Sequence, residues 1–192
     1  MKLRISGLIA IAAFALAGLL GSPQTLAQNA YITNQNSNSV SVINTETNTV
    51  TATVPVGAGP YGVAVPPDGD RVYISNPGSD TVSVLDTVTN TVTATIPVNA
   101  GSTGTCLGNT PCNGVAVTPD GRKVYVGNRG LNSVSVINTA TNTVIATVPV
   151  GAFPFGIAAT PDGRQVYVAT TTKQDVFPPP TSPPDAVAVI DT

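Results

Sequence analysis

Hydrophobic and polar residues alternate in short runs from about residue 30 to the end of the chain. The runs are four to seven residues long, are rich in Val, Ile, Thr and Tyr, and are separated by turn residues. A period of two over such lengths is typical of β-strands. No segment after the first 27 residues has the 3.6-residue period of an amphipathic helix. The pattern therefore predicts an all-β protein.

The strand-like runs recur in a fixed order. A tetrapeptide that begins with Tyr occurs four times, at spacings of 42, 52 and 42 residues. Its copies begin at Tyr31, Tyr73, Tyr125 and Tyr167. Four short strands in each unit of about 40 residues are typical of β-propeller blades, which pack face to face around a central channel. A β-solenoid is the alternative, but its rungs are shorter and need no hairpin turns at two fixed places.

Two kinds of turn separate the strands. Pro-Asp-Gly stands at residues 67–69, 119–121 and 161–163, and Thr-Asn-Thr at residues 47–49, 89–91 and 141–143. Proline sets φ for a tight turn, whereas Gly and Asn are the residues that best accept a positive φ. We therefore predict a hairpin at each of these places.

The order of the motifs resembles the YVTN β-propeller repeat family, which includes surface-layer proteins and YncE-like exported propellers. The tyrosine tetrapeptide is followed by Ser-Val-Ser-Val-Ile-Asn-Thr, by Thr-Asn-Thr-Val-Thr-Ala-Thr-Val-Pro-Val-Gly and by Gly-Val-Ala-Val with Pro-Asp-Gly. The resemblance covers residues 30–192. It implies that Gly-Val-Ala-Val is the innermost strand (a), the Tyr run strand b, Val-Ser-Val strand c and the Thr-rich run strand d.

This order divides residues 28–192 into blade units of a partial propeller. The units span about residues 30–61, 62–98, 114–150 and 156–192, with insertions at 99–113 and 171–185. They supply 14 strands in sets of three, four, four and three, so the predicted ring is incomplete, with two full and two partial blades. Open blade faces imply missing blades or self-association. A fragment of a roughly seven-bladed propeller is the stronger explanation, and closure by two copies the weaker one.

Residues 1–27 have the pattern of a secretory signal peptide. Lys2 and Arg4 precede an apolar run over residues 5–21, and small residues precede a cleavage site between Ala27 and Gln28. A membrane anchor is the alternative, but the run is shorter than the ~20 residues needed to span hydrocarbon. We predict that the chain is exported to the periplasm, the cell surface or the medium, with no membrane span once the leader is removed.

Composition excludes several kinds of chemistry. The chain has no His, which removes Ser–His and Cys–His nucleophile pairs and histidine-ligated metal sites. Asp68, Asp120 and Asp162 belong to turns on separate blades, too far apart for an acid–base pair. We predict no catalytic residue, metal site or cofactor, and no enzyme activity. The net charge of −2, which becomes −4 without Lys2 and Arg4, lacks the positive excess of a nucleic-acid binder.

The connections between strands fall on two rims of the propeller. The uniform a–b and c–d turns lie on one, here called the turn rim, and the b–c and d–a connections lie on the other, the loop rim. Irregular loops on a rigid scaffold are where binding groups collect. Tyr61, Arg129, Phe153 and Phe155 belong to such loops and form the candidate binding face. The alternative is that Tyr61 and Phe155 fill the gap between blades near the channel mouth.

Both insertions carry further predictions. Cys106 and Cys112 lie in one insertion of a chain predicted to enter an oxidising compartment, so we expect them to form a disulfide. The segment 177–184 contains five prolines, which favour an exposed, extended excursion over an additional blade strand.

The sequence favours a binding or structural scaffold of the cell envelope or surface, with a protein or envelope partner on the loop rim. One alternative is a metal-dependent propeller of the lactonase or hydrolase type, whose site needs further blades. Another is a YncE-like binder of nucleic acid or a small ligand, although the low positive charge argues against nucleic acid.

Overall fold

The computed structural model describes residues 13–14, 29–98, 114–171 and 186–192. These residues form four antiparallel sheets and three short 3-10 turns, with no α-helix among them. No helix in the described ranges is long and apolar enough to cross a membrane. The predicted all-β fold of partial propeller blades is confirmed.

Each sheet takes consecutive strands in chain order, which gives four blades. Blade 1 contains β1 (Ala13–Phe14), β2 (Asn29–Asn34), β3 (Ser39–Asn44) and β4 (Thr49–Pro55). Blade 2 contains β5 (Val63–Ala64), β6 (Arg71–Asn76), β7 (Thr81–Asp86) and β8 (Thr91–Pro97). Blade 3 contains β9 (Val115–Val117), β10 (Lys123–Asn128), β11 (Ser133–Asn138) and β12 (Thr143–Pro149). Blade 4 contains β13 (Pro154–Ala159), β14 (Gln165–Thr170) and β15 (Ala186–Asp191).

The first blade differs from the prediction. The repeats assign it no strand a, but β1 takes that position, with Ala13 opposite Tyr31 and Phe14 opposite Ala30 in antiparallel register. Strand pairing uses backbone groups, so a segment without the Gly-Val-Ala-Val motif can occupy the inner edge. The pairing places two residues of the predicted leader against the propeller.

Apolar side chains hold each blade to the next. Tyr31, Val40 and Val42 of blade 1 form one buried cluster with Val72, Ile74 and Leu85 of blade 2. The same positions form the other two interfaces, with Tyr73, Val82 and Val84 against Val124, Val126 and Ile137, and Tyr125, Val134 and Val136 against Val166, Val168 and Ile190. Both faces of blades 2 and 3 are therefore buried, because successive side chains of a strand point to opposite faces.

The hairpin turns have the predicted conformations. Asn48, Asn90 and Asn142 of the Thr-Asn-Thr turns have φ between 52° and 54°, and the Pro-Asp-Gly glycines Gly69, Gly121 and Gly163 have φ between 70° and 71°. Between strands b and c lie 3-10 turns at Gln35–Ser37, Pro77–Ser79 and Arg129–Leu131, which the sequence analysis did not predict. Each ends on a left-handed residue, namely Asn38, Asp80 or Asn132.

The last residue of strand b fastens strand c through its side chain in three blades. In blade 3 the Asn128 amide donates to the hydroxyls of Ser133 and Ser135, at 3.0 and 2.9 Å. Asn34 and Asn76 make the equivalent pairs of bonds in blades 1 and 2. Blade 4 has Thr170 at this position, and its hydroxyl donates to the Ala186 carbonyl instead.

Candidate functional site

The loop rim has a repeated hydrogen-bonded framework. The side-chain oxygen of Asn38 accepts a hydrogen bond from the Gly59 amide at 2.8 Å, and that of Asn132 accepts one from the Phe153 amide at 3.0 Å. Each bond ties the linker after strand d to the b–c loop of the same blade. These two bonds therefore fix the first and third linkers in position on the loop rim.

Phe153 occupies a backbone position that suits glycine. It stands in the third linker where Gly59 stands in the first, and the φ values are 47° for Phe153 and 62° for Gly59. A positive φ is rare for a bulky side chain and costs of order 1 kcal/mol or more. Phe153 is thus the one strained aromatic residue among those described, and the strain lies in the candidate binding face.

Arg129 lies over the ring of Phe153. Its guanidinium carbon is 5.3 Å from the ring centroid, within the range of a cation–π contact, which contributes roughly 0.5–1 kcal/mol where exposed. Arg129 opens the 3-10 turn of blade 3, and Leu131 of the same turn is 48% exposed. The equivalent first positions in blades 1 and 2 are Gln35 and Pro77. The pairing of a cation with an aromatic ring is therefore particular to blade 3 among these three turns.

Tyr61 lies elsewhere, between blades 1 and 2. Only 9% of the residue is exposed; its amide donates to the Ser75 carbonyl, and its carbonyl accepts the Thr33 hydroxyl, both at 2.9 Å. These bonds join the linker to strand b of both blades. Tyr61 thus takes the gap-filling position that was the alternative to binding.

Phe155 lies at the junction of blades 3 and 4 and is half-buried. It is the additional residue in a β-bulge of β13, because Pro154 pairs with Thr170 and Gly156 with Ala169. A Cβ atom on Gly114 would meet the Phe155 carbonyl oxygen, so the two backbones are in close approach. The structure brings Arg129 and Phe153 together, and it places Tyr61 and Phe155 at blade junctions.

The carboxylates of the turn rim are engaged in their own turns. Hydrogen bonds from the Thr118 hydroxyl and the Arg122 amide hold the pKa of Asp120 below its usual value of 3.8. The Thr160 hydroxyl and the Arg164 amide lower the pKa of Asp162 in the same way. A lowered carboxyl pKa in a satisfied turn is the opposite of what a general acid needs.

A groove of about 620 Å³ opens on the turn rim of blade 4. It is lined by Thr160, Pro161, Asp162, Arg164, Gln165 and Asp191. The Asp162 carboxylate already accepts the two turn hydrogen bonds, and Asp191 accepts one from Gln165 at 3.3 Å. Among the described residues, no group of three or more His, Cys, Asp or Glu side chains is placed to hold a metal ion.

Three of the predicted features lie outside the described residues. They are the Cys106–Cys112 disulfide, the cleavage site between Ala27 and Gln28, and the extended segment at 177–184. All three remain predictions.

Sequence reasoning missed the unusual backbone of Phe153, although an alignment of the linkers contains the signal. Val56-Gly57-Ala58-Gly59-Pro60-Tyr61 aligns with Val150-Gly151-Ala152-Phe153-Pro154-Phe155 without a gap. The alignment puts Phe153 at the position of a glycine, which marks a position where φ is positive.

Comparison with known structures agrees with the propeller architecture. The chain resembles hydrazine synthase of Kuenenia stuttgartiensis, with 26% identity and a TM-score of 0.74 over 100% of this chain and 48% of that one. It also resembles a functionally unknown protein of Desulfotomaculum acetoxidans DSM 771, with 21% identity and a TM-score of 0.59 over 83% of this chain and 48% of that one. The chain thus spans about half the length of either structure.

Sequence comparison gives the family. No curated protein matches the chain. The family model described as lactonase, 7-bladed beta-propeller matches residues 31–177, well over half of the chain. On this match, the chain belongs to the lactonase 7-bladed beta-propeller family.

Proposed function

We propose that the protein is an exported binding scaffold of the cell envelope, and that the loop rim of blade 3 contacts its partner. The observation that carries the proposal is Phe153, a large ring held at a positive φ beneath the guanidinium of Arg129. Strain of this kind persists where the surrounding structure enforces it, and it clusters at ligand-binding positions. The turn rim has no comparable feature among the described residues.

The chemistry of this surface defines the partner group. A guanidinium binds carboxylates through two parallel hydrogen bonds, and stacking on Phe153 restricts its orientation. Leu131 adds exposed apolar surface on the same turn. A partner group that combines a carboxylate with an apolar or aromatic portion fits these three side chains.

The test compares two arginines on opposite rims. Arg129→Ala removes the stacked cation from the loop rim, and Arg122→Ala removes one whose side chain is 85% exposed on the turn rim. The two variants have the same net charge, so long-range electrostatics changes equally. The assay measures sedimentation with cell envelopes isolated from the organism that makes the protein.

Losing about 1.4 kcal/mol of binding free energy raises the dissociation constant tenfold. We expect Arg129→Ala to raise the dissociation constant by at least this factor. Arg122→Ala is expected to bind as the wild type does. Equal loss in the two variants would contradict the proposal, because it would mean that binding follows overall charge and not the loop rim.

Export supports the envelope assignment and has a separate test. The leader pattern ends at Ala27, so mass spectrometry of the extracytoplasmic protein should find an N-terminus at Gln28. Cleavage there would separate β1 from the blade and leave the inner edge of β2 available. An intact Met1 on protein from the membrane fraction would contradict the assignment.

A lactone hydrolase is the second candidate, and the family match over residues 31–177 favours it. In this alternative, acidic and amide side chains around the channel would be completed by blades beyond those of this chain. Acid release from a panel of lactones, measured at constant pH, tests it. If the Asp120→Asn and Asp162→Asn variants kept the wild-type turnover, the reaction would not take place on the turn rim.

A further inference from the structure

Charged side chains are distributed unequally between the two rims. Among the charged residues that the structure describes, Asp80 and Arg129 lie on the loop rim. The others, from Glu46 in blade 1 to Asp191 in blade 4, belong to the turns and strand ends of the turn rim. Exposed turns accept charged side chains readily, so turn structure does not explain the difference. A surface that is depleted of charge but keeps Arg and aromatic residues is typical of the centre of a binding surface.

Two asparagine side chains on the loop rim are oriented by the linkers. The side-chain oxygen of Asn38 accepts the Gly59 amide, and that of Asn132 accepts the Phe153 amide. Because the oxygen is bound to a backbone N–H group, the other end of each side chain is the NH2 group. Both asparagines are exposed, and neither NH2 group donates a hydrogen bond within the described part of the chain. Blades 1 and 3 therefore present oriented donors, which lowers the entropy cost of binding.

Arg129 adds a third oriented donor group. Its guanidinium lies over the Phe153 ring, and its planar shape matches a carboxylate. The ligand of this rim is thus rich in hydrogen-bond acceptors and includes carboxylates.

Two classes of macromolecule fit the rim less well. Nucleic acid is bound through several Lys and Arg side chains, and the described part of the loop rim has Arg129 alone. The centre of a protein interface is poor in serine, whereas Ser37 and Ser79 are exposed in the b–c turns. A ligand with many hydroxyl groups fits such small polar side chains better.

We propose that the loop rim binds a carboxylated polysaccharide across blades 1 to 3. The inference rests on the proposed function; it extends the contact beyond blade 3 and gives the chemical class of the partner. Arg129 pairs with a sugar carboxylate, while Asn38 and Asn132 donate to sugar oxygens. The apolar C–H face of a sugar ring fits the exposed Leu131.

The turn rim is too distant to take part in this contact. Strands b and c of blade 2 have six residues each, which corresponds to about 20 Å between the rims. At physiological ionic strength, exposed charges are screened over about 8 Å. A charge added to the turn rim should therefore leave binding unchanged, which makes that rim the place for a control.

Blade 2 shows which substitutions the b–c turn accepts. Asp80 occupies the position of Asn38 and Asn132, and its φ is 53° against 52° for both asparagines. Asn38→Asp replaces an NH2 donor by a charged oxygen of the same shape, and Asp80→Asn makes the reverse exchange. Asn48→Asp is the matched control, because Asn48 is an exposed residue with φ 54° in the c–d turn of the same blade as Asn38.

Isothermal titration calorimetry of the full chain with polygalacturonate tests the proposal. Dextran is the neutral control, and dextran sulfate is the polyanion without carboxylates. We expect the wild type to bind polygalacturonate and neither dextran. Asn38→Asp should bind roughly three- to tenfold more weakly, because it loses a hydrogen bond and gains a repulsive charge. Asp80→Asn should bind more tightly, and Asn48→Asp should bind as the wild type does, with circular dichroism confirming the fold of each variant.

Three results of the titration would overturn the proposal. Equal affinity for dextran sulfate and polygalacturonate would mean that any polyanion binds. Equal weakening by Asn38→Asp and Asn48→Asp would mean that binding follows overall charge. Wild-type affinity in both Asn38→Asp and Asp80→Asn would confine the contact to blade 3.

Sedimentation with isolated envelopes separates this inference from the proposed function. If excess polygalacturonate displaces the protein from envelopes, both are supported. If it does not, and protease treatment of the envelopes abolishes binding, the partner is a protein; this inference then fails and the proposed function stands. If the protein binds neither envelopes nor polygalacturonate, both fail.

Discussion

On the turn rim, the hydroxyls of Thr87 and Thr139 each donate to the carbonyl of a Pro-Asp-Gly glycine in the same blade, both at 2.8 Å. On the loop rim, Asn38 and Asn132 hold the following linkers with equal regularity. The rims differ in the residues that occupy their positive-φ positions. The turn rim has glycine or asparagine at its positive-φ hairpin positions, whereas the loop rim has Phe153 where another blade has Gly59.

The two rims show how a repeat fold can carry a specific site. Repeated hydrogen bonds fix both rims, so a blade can change one side chain without losing the fold. On the turn rim, the residues with a positive φ are Asn and Gly, which the hairpin turns require. On the loop rim, folding alone gives no reason for Phe153 to have a positive φ. We interpret the positive φ of Phe153 as functional, and four predictions test that interpretation.

The largest effect should follow from loss of the framework beneath the loop rim. Asn128→Ala removes the amide that binds Ser133 and Ser135 and leaves both buried hydroxyls without that donor. We expect a loss of about 2 kcal/mol in the free energy of unfolding, measured by urea denaturation. Asn36→Ala, at an exposed position of the first 3-10 turn, should cost less than about 0.5 kcal/mol. Equal losses would show that the asparagine bonds do not support the rim.

A smaller effect should follow from adding a side chain to a turn-rim glycine. Gly163 has a φ of 70°, and a Cβ there would meet only Pro119 at an ordinary 3.5 Å. Gly163→Ala should therefore destabilise the protein by roughly 1–2 kcal/mol through backbone strain.

Gly156→Ala is the control for that substitution. Its Cβ would make an ordinary 3.6 Å contact with Ala169, and the backbone there does not have a positive φ. The same denaturation experiment should find Gly156→Ala much less destabilised than Gly163→Ala. The reverse order would mean that crowding, and not φ, limits the turn rim.

Acid should weaken the turn rim. The pKa values of Asp120 and Asp162 are lowered in the folded protein by the hydrogen bonds of their turns, so the unfolded chain takes up protons first as the pH falls. The stabilisation is complete above the unfolded value of 3.8 and is lost as the pH falls through the lower folded values. The urea midpoint should drop below about pH 4, and the Asp120→Asn, Asp162→Asn double variant should drop less. An unchanged acid response in the double variant would assign the loss to other groups.

The strands, hairpins and turn residues could be predicted because local chemistry decides them. Asn48 and Gly69 take a positive φ for reasons that a short stretch of sequence contains. The Asn128 bonds could not be predicted, since they depend on which face of strand c lies beside the end of strand b. The β1 pairing was missed because Ala13 and Phe14 belong to a segment whose pattern indicates a leader.

The candidate site was predicted only in part, for a related reason. Sequence position groups Tyr61 with Phe155, yet packing between blades buries Tyr61 and leaves Arg129 beside Phe153. Tyr61 and Phe155 occupy the same position in their linkers, but Tyr61 is buried between its blades and Phe155 is only half-buried. Alignment against glycine is the better sequence signal, since backbone conformation repeats more faithfully than exposure.

Phe153→Gly should have the smallest effect on stability and the clearest effect on function. Glycine relieves the strain at φ 47° but loses the ring contact with Arg129, so the free energy of unfolding should stay within about 1 kcal/mol of the wild type. The decisive measurement is the dissociation constant of this variant for isolated cell envelopes, taken together with its unfolding free energy. We expect roughly tenfold weaker binding with stability retained. Wild-type binding by Phe153→Gly would contradict it, because the strained ring would then have no part in recognition.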